Sequence, residues 1–158
     1  MTDTRDIVSV ERTIDAPPEK IFELVADPRR HHEFDGSGTV RDVKAGGDDQ
    51  LELGSEFGMS MKLGIPYSMV STVVEFEDGR RVAWQSRPPG LFGKIAGGRI
   101  WRYELEPLDS GGTLVRESWD VSQDKQRPLL RIGPTPKKTR TNMEKTLERI
   151  DELVGGSS

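Results

Sequence analysis

The sequence predicts an α+β domain in which a curved antiparallel sheet of about seven strands is wrapped around one long C-terminal helix, with two short helices after strand 1. Three observations carry this. From residue 39 to 121 the apolar residues recur mostly with period two. Short turns rich in Gly, Pro and Asp cut that stretch into runs with no room for helical crossovers, so neighbouring strands run antiparallel. Met143, Leu147, Ile150 and Val154 then follow at spacings of four, three and four, which is one stripe of a helix.

The elements follow in order. Residues 7–14, IVSVERTI, read as a strand rich in β-branched residues. Asp15–Ala16–Pro17–Pro18 ends it and opens a helix, since proline suits a first helical turn and Glu19 favours its positive end. Ile21, Phe22, Leu24 and Val25 form the apolar stripe of that helix, and Asp27 before Pro28 stops it. Residues 28–34, PRRHHEF, predict a second short helix or turn anchored by Phe34, and 35–38 a flexible turn. A weak strand at 39–45 leads to the turn GGDDQ. Phe57, Met59, Met61 and Leu63 share one face of the next strand, and Gly64–Pro66 turns. Val70, Thr72, Val74 and Phe76 share a face of the strand after it. Glu77–Arg80 is a hairpin turn with Gly79 where a positive φ is needed. Val82, Trp84 and Ser86 follow on one face. Trp101, Tyr103 and Leu105 line the next strand, and Val115, Glu117, Trp119 and Val121 the last. Thr135 is the expected N-cap of a final helix from about 136 to 154.

Length and composition bound what the chain can do. Its 158 residues fit a single domain spanning 1–158, with a core from about 7 to 154. A chain this long buries roughly 70% of its unfolded surface and needs no staples. There is no cysteine, which removes disulfides, thiolate nucleophiles, Cys-based zinc sites and iron–sulfur clusters. With 23 basic against 27 acidic residues the net charge is −4, which argues against a general nucleic-acid binder. The N-terminus carries no apolar signal region and no apolar run is long enough to span a bilayer. A cytoplasmic protein without a transmembrane segment is the expectation, as a monomer or homodimer.

Candidate site residues lie on the inward strand faces and on the final helix. Met59, Met61, Val70, Trp84, Trp101, Tyr103 and Trp119 are either ordinary core or the walls of a pocket for a planar or acyl ligand, with Met143 and Leu147 facing them from the helix. All three tryptophans of the chain are among them. Glu117 shares a face with Val115, Trp119 and Val121, so it must face inward. A buried carboxylate is costly unless it is paired or protonated. It is therefore paired with a hydroxyl or with an arginine such as Arg99 or Arg87, a solvated residue on a bulge, or a ligand-orienting group or general acid/base.

His31 and His32, the only histidines, diverge and lack a third ligand at useful spacing, so no metal and no cofactor is expected. They read as a solvated helix end, the alternative being that one of them, with Asp35, reaches a pocket rim. Residues 88–98, PPGLFGKIAGG, match no phosphate-binding loop. Their Leu91, Phe92 and Ile95 either pack on a neighbour or form a lid. Arg127, Arg131, Lys137, Lys138 and Arg140 are a solvated basic face, or attract an anionic head group, membrane surface or acidic protein.

The opening strand followed by IDAPPEKIFELVADP, and the late block WRYELEPLDSGGTLVRESWDVS before a terminal amphipathic helix, resemble a polyketide cyclase/dehydrase-like protein of the START/Bet v 1-like (SRPBCC) superfamily. The resemblance runs from about Ile7 to Val154. It implies a helix-grip fold with a deep apolar cavity between sheet and C-terminal helix. The long, apolar 88–98 connection departs from the pattern. Polar groups in aromatase-type members hydrogen-bond a carbonyl oxygen, a role that Tyr103 and Glu117 would fill here. Three functions follow as expectations. The first is binding of a small hydrophobic ligand, whether lipid, polyketide-like or aromatic. The second is cyclase or aromatase chemistry in the same cavity, with Tyr103, Glu117 and an arginine moving protons. The third is a protein-interaction module. Absence of a clear proton-transfer pair in the sequence favours binding over catalysis.

Overall fold

The computed structural model describes residues 6–36, 40–45, 51–63 and 65–155. The expected turns at 37–38, 46–50 and Gly64 lie outside these residues. Seven strands form one antiparallel sheet: β1 Ile7–Ile14, β2 Val40–Ala45, β3 Glu56–Leu63, β4 Ile65–Glu77, β5 Arg81–Arg87, β6 Arg99–Pro107 and β7 Thr113–Asp120. Their order across the sheet is β1-β7-β6-β5-β4-β3-β2, so each strand from β2 to β7 neighbours its successor and only β1 crosses over to pair with the last. That crossover is made by two short helices, α1 Pro18–Val25 and α2 His31–Phe34, bridged by a 3-10 turn at Pro28–Arg30. A one-turn helix, α3 Arg127–Leu130, precedes α4, Thr135–Val154.

The helix α4 covers the inward sheet face as its stripe predicts. Met143, Leu147, Ile150 and Val154 are all buried, joined by Thr146. Fully burying each such apolar side chain contributes about 1.5–3 kcal/mol, so this stripe is a main source of helix docking. Thr135 is the first helical residue rather than the cap, and Pro134 holds the N-cap position without a side-chain bond. On α1 the predicted stripe Ile21, Phe22, Leu24 and Val25 is buried in full. Gly79 has φ +75° in the β4–β5 turn, where Arg80 N–H donates to Glu77 O at 2.9 Å.

One strand face departs from simple alternation. Between Val73 and Glu75 the β4–β5 register shifts at a bulge. Below the bulge Ser71 and Val73 are buried, and beyond it Phe76 packs on the core. A bulge inserts one residue and resets which parity faces inward. Val70 and Thr72 therefore sit on the opposite face, and Val74 is exposed.

The outer face of the sheet is ionic. Arg102 Nη2 lies 2.6 Å from Glu75 Oε2, and Arg81 Nη2 is 2.8 Å from Glu104. The Arg102 hydrogen bond, opposed by partial burial, holds the Glu75 carboxyl below its ordinary range.

Candidate functional site

Register across the central strands assembles the interior in rows. Trp84, Trp101 and Trp119 stand directly opposite one another on β5, β6 and β7. Two residues along, Val82 faces Tyr103, Tyr103 faces Glu117, and Glu117 faces Val10. Side chains opposite each other in antiparallel strands stand about 5 Å apart, so a tyrosine and a glutamate placed there can meet. They do: Tyr103 Oη donates to Glu117 Oε2 at 3.0 Å, with both residues about 97% buried.

Of the two kinds of partner expected for Glu117, a cation or a hydroxyl, the hydroxyl is the one beside it. Arg99 is bound instead to Asp124 at 3.1 Å, and Arg87 lies on the outer side of β5. With no cation beside it among the described residues, Glu117 has its carboxyl pushed well above the ordinary range by burial, against the lowering effect of the Tyr103 hydrogen bond and with added repulsion from Asp35. Burial likewise raises the Tyr103 hydroxyl well above its usual value, and the neighbouring Glu117 adds to it. Glu117 Oε2 accepts the tyrosine proton, so the carboxylic acid's own proton belongs on Oε1. That Oε1 is buried with no hydrogen-bond partner among the described residues. A protonated Glu117 would thus present an unpartnered donor inside an apolar enclosure.

The enclosure is aromatic, and it includes a residue that the sequence reading placed in solvent. His31 is 95% buried. Its ring stacks on Trp84 at a centroid distance of 4.7 Å and an angle of 19°, and meets Phe34 and Phe57 edge-on at 5.4 and 5.5 Å. His31 Nε2 lies 3.0 Å from the Val25 carbonyl, which requires the proton on Nε2 and leaves the lone pair on Nδ1. Desolvation lowers its pKa to about 4, against the raising effect of the Val25 bond and of Asp27 and Asp35, so the ring is neutral at pH 7. The available signal was helical spacing. His31 and Phe34 stand three apart and share a face, while His32 points to solvent.

Among the other predicted residues, Met59, Trp84, Trp119, Met143 and Leu147 are buried in the same core, and Met61 and Trp101 are partly buried against it. Trp84 and Tyr103 rings stand 5.7 Å apart. Val70 is a correction: the β4 bulge turns it away from this group, and it lines a depression on the other face with Arg87, Pro88 and Gly90. Leu91, Phe92 and Ile95 neither pack on a neighbour nor cover the interior. They project from a 3-10 turn, Gly90–Lys94, at 78%, 68% and 68% exposure. A polar pair missed by the sequence reading, Ser71 and Ser86, joins β4 and β5 at 2.8 Å on the inward face.

The buried side chains of the sheet, α1, α2 and α4 join in one hydrophobic cluster, and the expected deep apolar cavity between sheet and α4 is not among the depressions that the described residues line. Two depressions are a charged one of about 500 Å³ lined by Glu11, Arg81, Glu104 and Arg116, and the one beside Val70 of about 250 Å³. No group of three or more His, Asp or Glu among the described residues could hold a metal ion. No helix among them is long and apolar enough to cross a membrane.

Comparison with solved structures places this geometry. Protein CV1439 from Chromobacterium violaceum superimposes with a TM-score of 0.70 at 18% identity, covering 96% of this chain and 99% of that one. DynU16, from the dynemicin biosynthetic locus, gives a TM-score of 0.66 at 17% identity, covering 94% of this chain and 46% of that one. In sequence, the chain is 41% identical over 115 residues to the uncharacterized protein Rv0088 of Mycobacterium tuberculosis, matching 70% of this chain and 46% of that protein, so it spans less than half of that relative's length. Residues 5–155 match a family model, and the chain belongs to that family, described as polyketide cyclase / dehydrase and lipid transport.

Proposed function

We propose that the protein binds a small hydrophobic molecule carrying a carbonyl or hydroxyl group, held between the sheet and α4, in the cytoplasm. The observation that carries this reading is Glu117. A carboxyl whose pKa is raised by burial, with Tyr103 on one oxygen and no partner on the other among the described residues, is a hydrogen bond short of satisfied. A ligand oxygen supplies the missing partner, and Trp84, Trp119, Met59 and Met143 supply apolar contact. Entry requires the core to part along α4, and the adaptable Met59, Met61 and Met143 ease repacking around a guest.

A cyclase reading has one observation in its favour. Glu117 as a proton donor and the neutral His31 as a proton acceptor lie in one aromatic cluster, linked through Trp84 and Tyr103. Together they could take a proton from a carbon beside a carbonyl and deliver one to the carbonyl oxygen, the step that starts an aldol-type ring closure. His31 would then take the role that the sequence reading gave to an arginine.

Native mass spectrometry of protein purified without denaturation tests the binding reading. A co-purified species of a few hundred daltons, lost on denaturation, is expected. Only the bare chain mass, together with failure to take up added fatty acids or aromatic ketones, would oppose it.

A further inference from the structure

We propose that the surface formed by the β5–β6 connection and α3 docks on an anionic lipid bilayer. Among the described residues the most exposed large apolar side chains are Leu91, Phe92, Ile95, Leu129 and Ile132, at 63% to 78%, together with the distant Leu53. The first five come from two segments that are far apart in sequence and stitched together in space. Gln126 Oε1 accepts from Gly97 N at 2.9 Å, Lys125 N donates to Gly97 O at 2.9 Å, and Gln126 Nε2 reaches Ile95 O at 3.4 Å. Gly97 and Gly98, at φ +79° and +114°, sit against Ser86–Pro88 and Gln123–Asp124, so close that a Cβ at either would meet main-chain atoms within 3 Å. The patch is therefore held by a fixed backbone contact. Exposed apolar groups gathered in this way mark an interaction surface.

Charge identifies the occupant. The chain as a whole is net negative, yet residues 87–99 and 125–140 together hold nine Lys or Arg and no Asp or Glu. Two buried carboxylates pair into the region from beneath, Asp6 with Arg131 at 3.2 Å and Asp124 with Arg99 at 3.1 Å. At the surface Lys94, Lys125, Lys137 and Lys138 are exposed. Apolar tips with lysines in the same two segments match a bilayer interface, where the tips enter the acyl boundary and the cations meet anionic head groups. A nucleic acid would use the cations and leave the apolar tips in water. The inference rests on this surface and not on the interior, so it can fail while ligand binding stands.

Co-sedimentation of the full chain with vesicles tests it. Binding is expected to vesicles of mixed phosphatidylglycerol and phosphatidylcholine and not to phosphatidylcholine alone. Raising salt from about 0.1 to 0.5 M should weaken it by about tenfold. The double variant Leu91→Asp/Phe92→Asp should lose binding by at least about tenfold with an unchanged melting temperature, because both side chains are already in solvent. Leu53→Asp, equally exposed elsewhere, should bind like the parent. No sedimentation with the anionic vesicles would overturn the proposal, as would full binding by the double variant. So would a concentration-dependent dimer that the same variant abolishes, which would assign the patch to a second copy of the chain.

Discussion

Glu117 and His31 carry opposite pH signatures, because burial disfavours the charged form of each. Unfolded, His31 binds a proton below about pH 6.5; folded, it refuses one until about pH 4. The unfolded chain therefore holds more protons across that window, and His31 costs stability as pH falls through it, by up to about 1.4 kcal/mol per unit. Glu117 behaves inversely. The folded carboxyl keeps a proton that the unfolded chain loses near pH 4.5, so its contribution is full below that value and is lost as pH rises. Above about pH 6.5 the Glu117 effect acts without the His31 effect, and the melting temperature should decline as pH rises toward the raised folded-state pKa of Glu117. Glu117→Gln removes the ionisation and should flatten that decline; an equal decline in the variant would show that the carboxyl is not the cause. Tyr103→Phe leaves both Glu117 oxygens without a partner and should cost about 1–3 kcal/mol in denaturant unfolding. The inward position of Glu117 was legible from its face-mates on β7, and a hydroxyl was among its expected partners, but which residue supplies it was not. Tyr103 stands opposite it only in the β6–β7 register, which sequence alone does not fix.

At the scale of elements, close approach of backbones fixes where α2 meets α4. Gly36 N donates to Thr146 Oγ1 at 2.8 Å, and a Cβ on Gly36 would stand 2.7 Å from Thr146 N and collide with the Asn142 carbonyl. Gly36→Ala should therefore destabilise by about 1–3 kcal/mol through main-chain overpacking, read by thermal or urea unfolding. A neutral result would mean that the α2–α4 approach is looser than this. The helices and strands themselves were legible, because α4 keeps a helical stripe from Met143 to Val154 and the large apolar residues of β5 to β7 recur at every second position. The face of Val70 was not. Along β4 the run Val70, Thr72, Val74, Phe76 alternates well, and a bulge leaves no residue type as its mark. His31 was hidden for a different reason. Two adjacent histidines look alike in sequence, and only the short helix that places His31 over Phe34 separates them.

Across the whole molecule, two features stand apart from the economy of an ordinary core. One is the basic, apolar-tipped surface at the β5–β6 and α3 end. The other is a polar centre of carboxyl, phenol and imidazole enclosed by aromatic rings and closed by α4. Burying such groups is costly, and a merely structural interior of this size would be more stable with apolar residues in their place. The central claim is that this interior takes a ligand whose oxygen completes Glu117. Trp84, Trp101 and Trp119 line up across the sheet in the row next to it, so their emission reports occupancy directly. The deciding measurement is a titration of tryptophan emission with a fatty acid and with an aromatic ketone, on the parent chain and on Glu117→Ala. A saturable, one-site change is predicted for at least one of them, with affinity about tenfold weaker in the variant. An emission spectrum that stays unchanged up to the solubility limit of both probes would contradict the claim, and would leave Glu117 and Tyr103 a structural pair in a closed core.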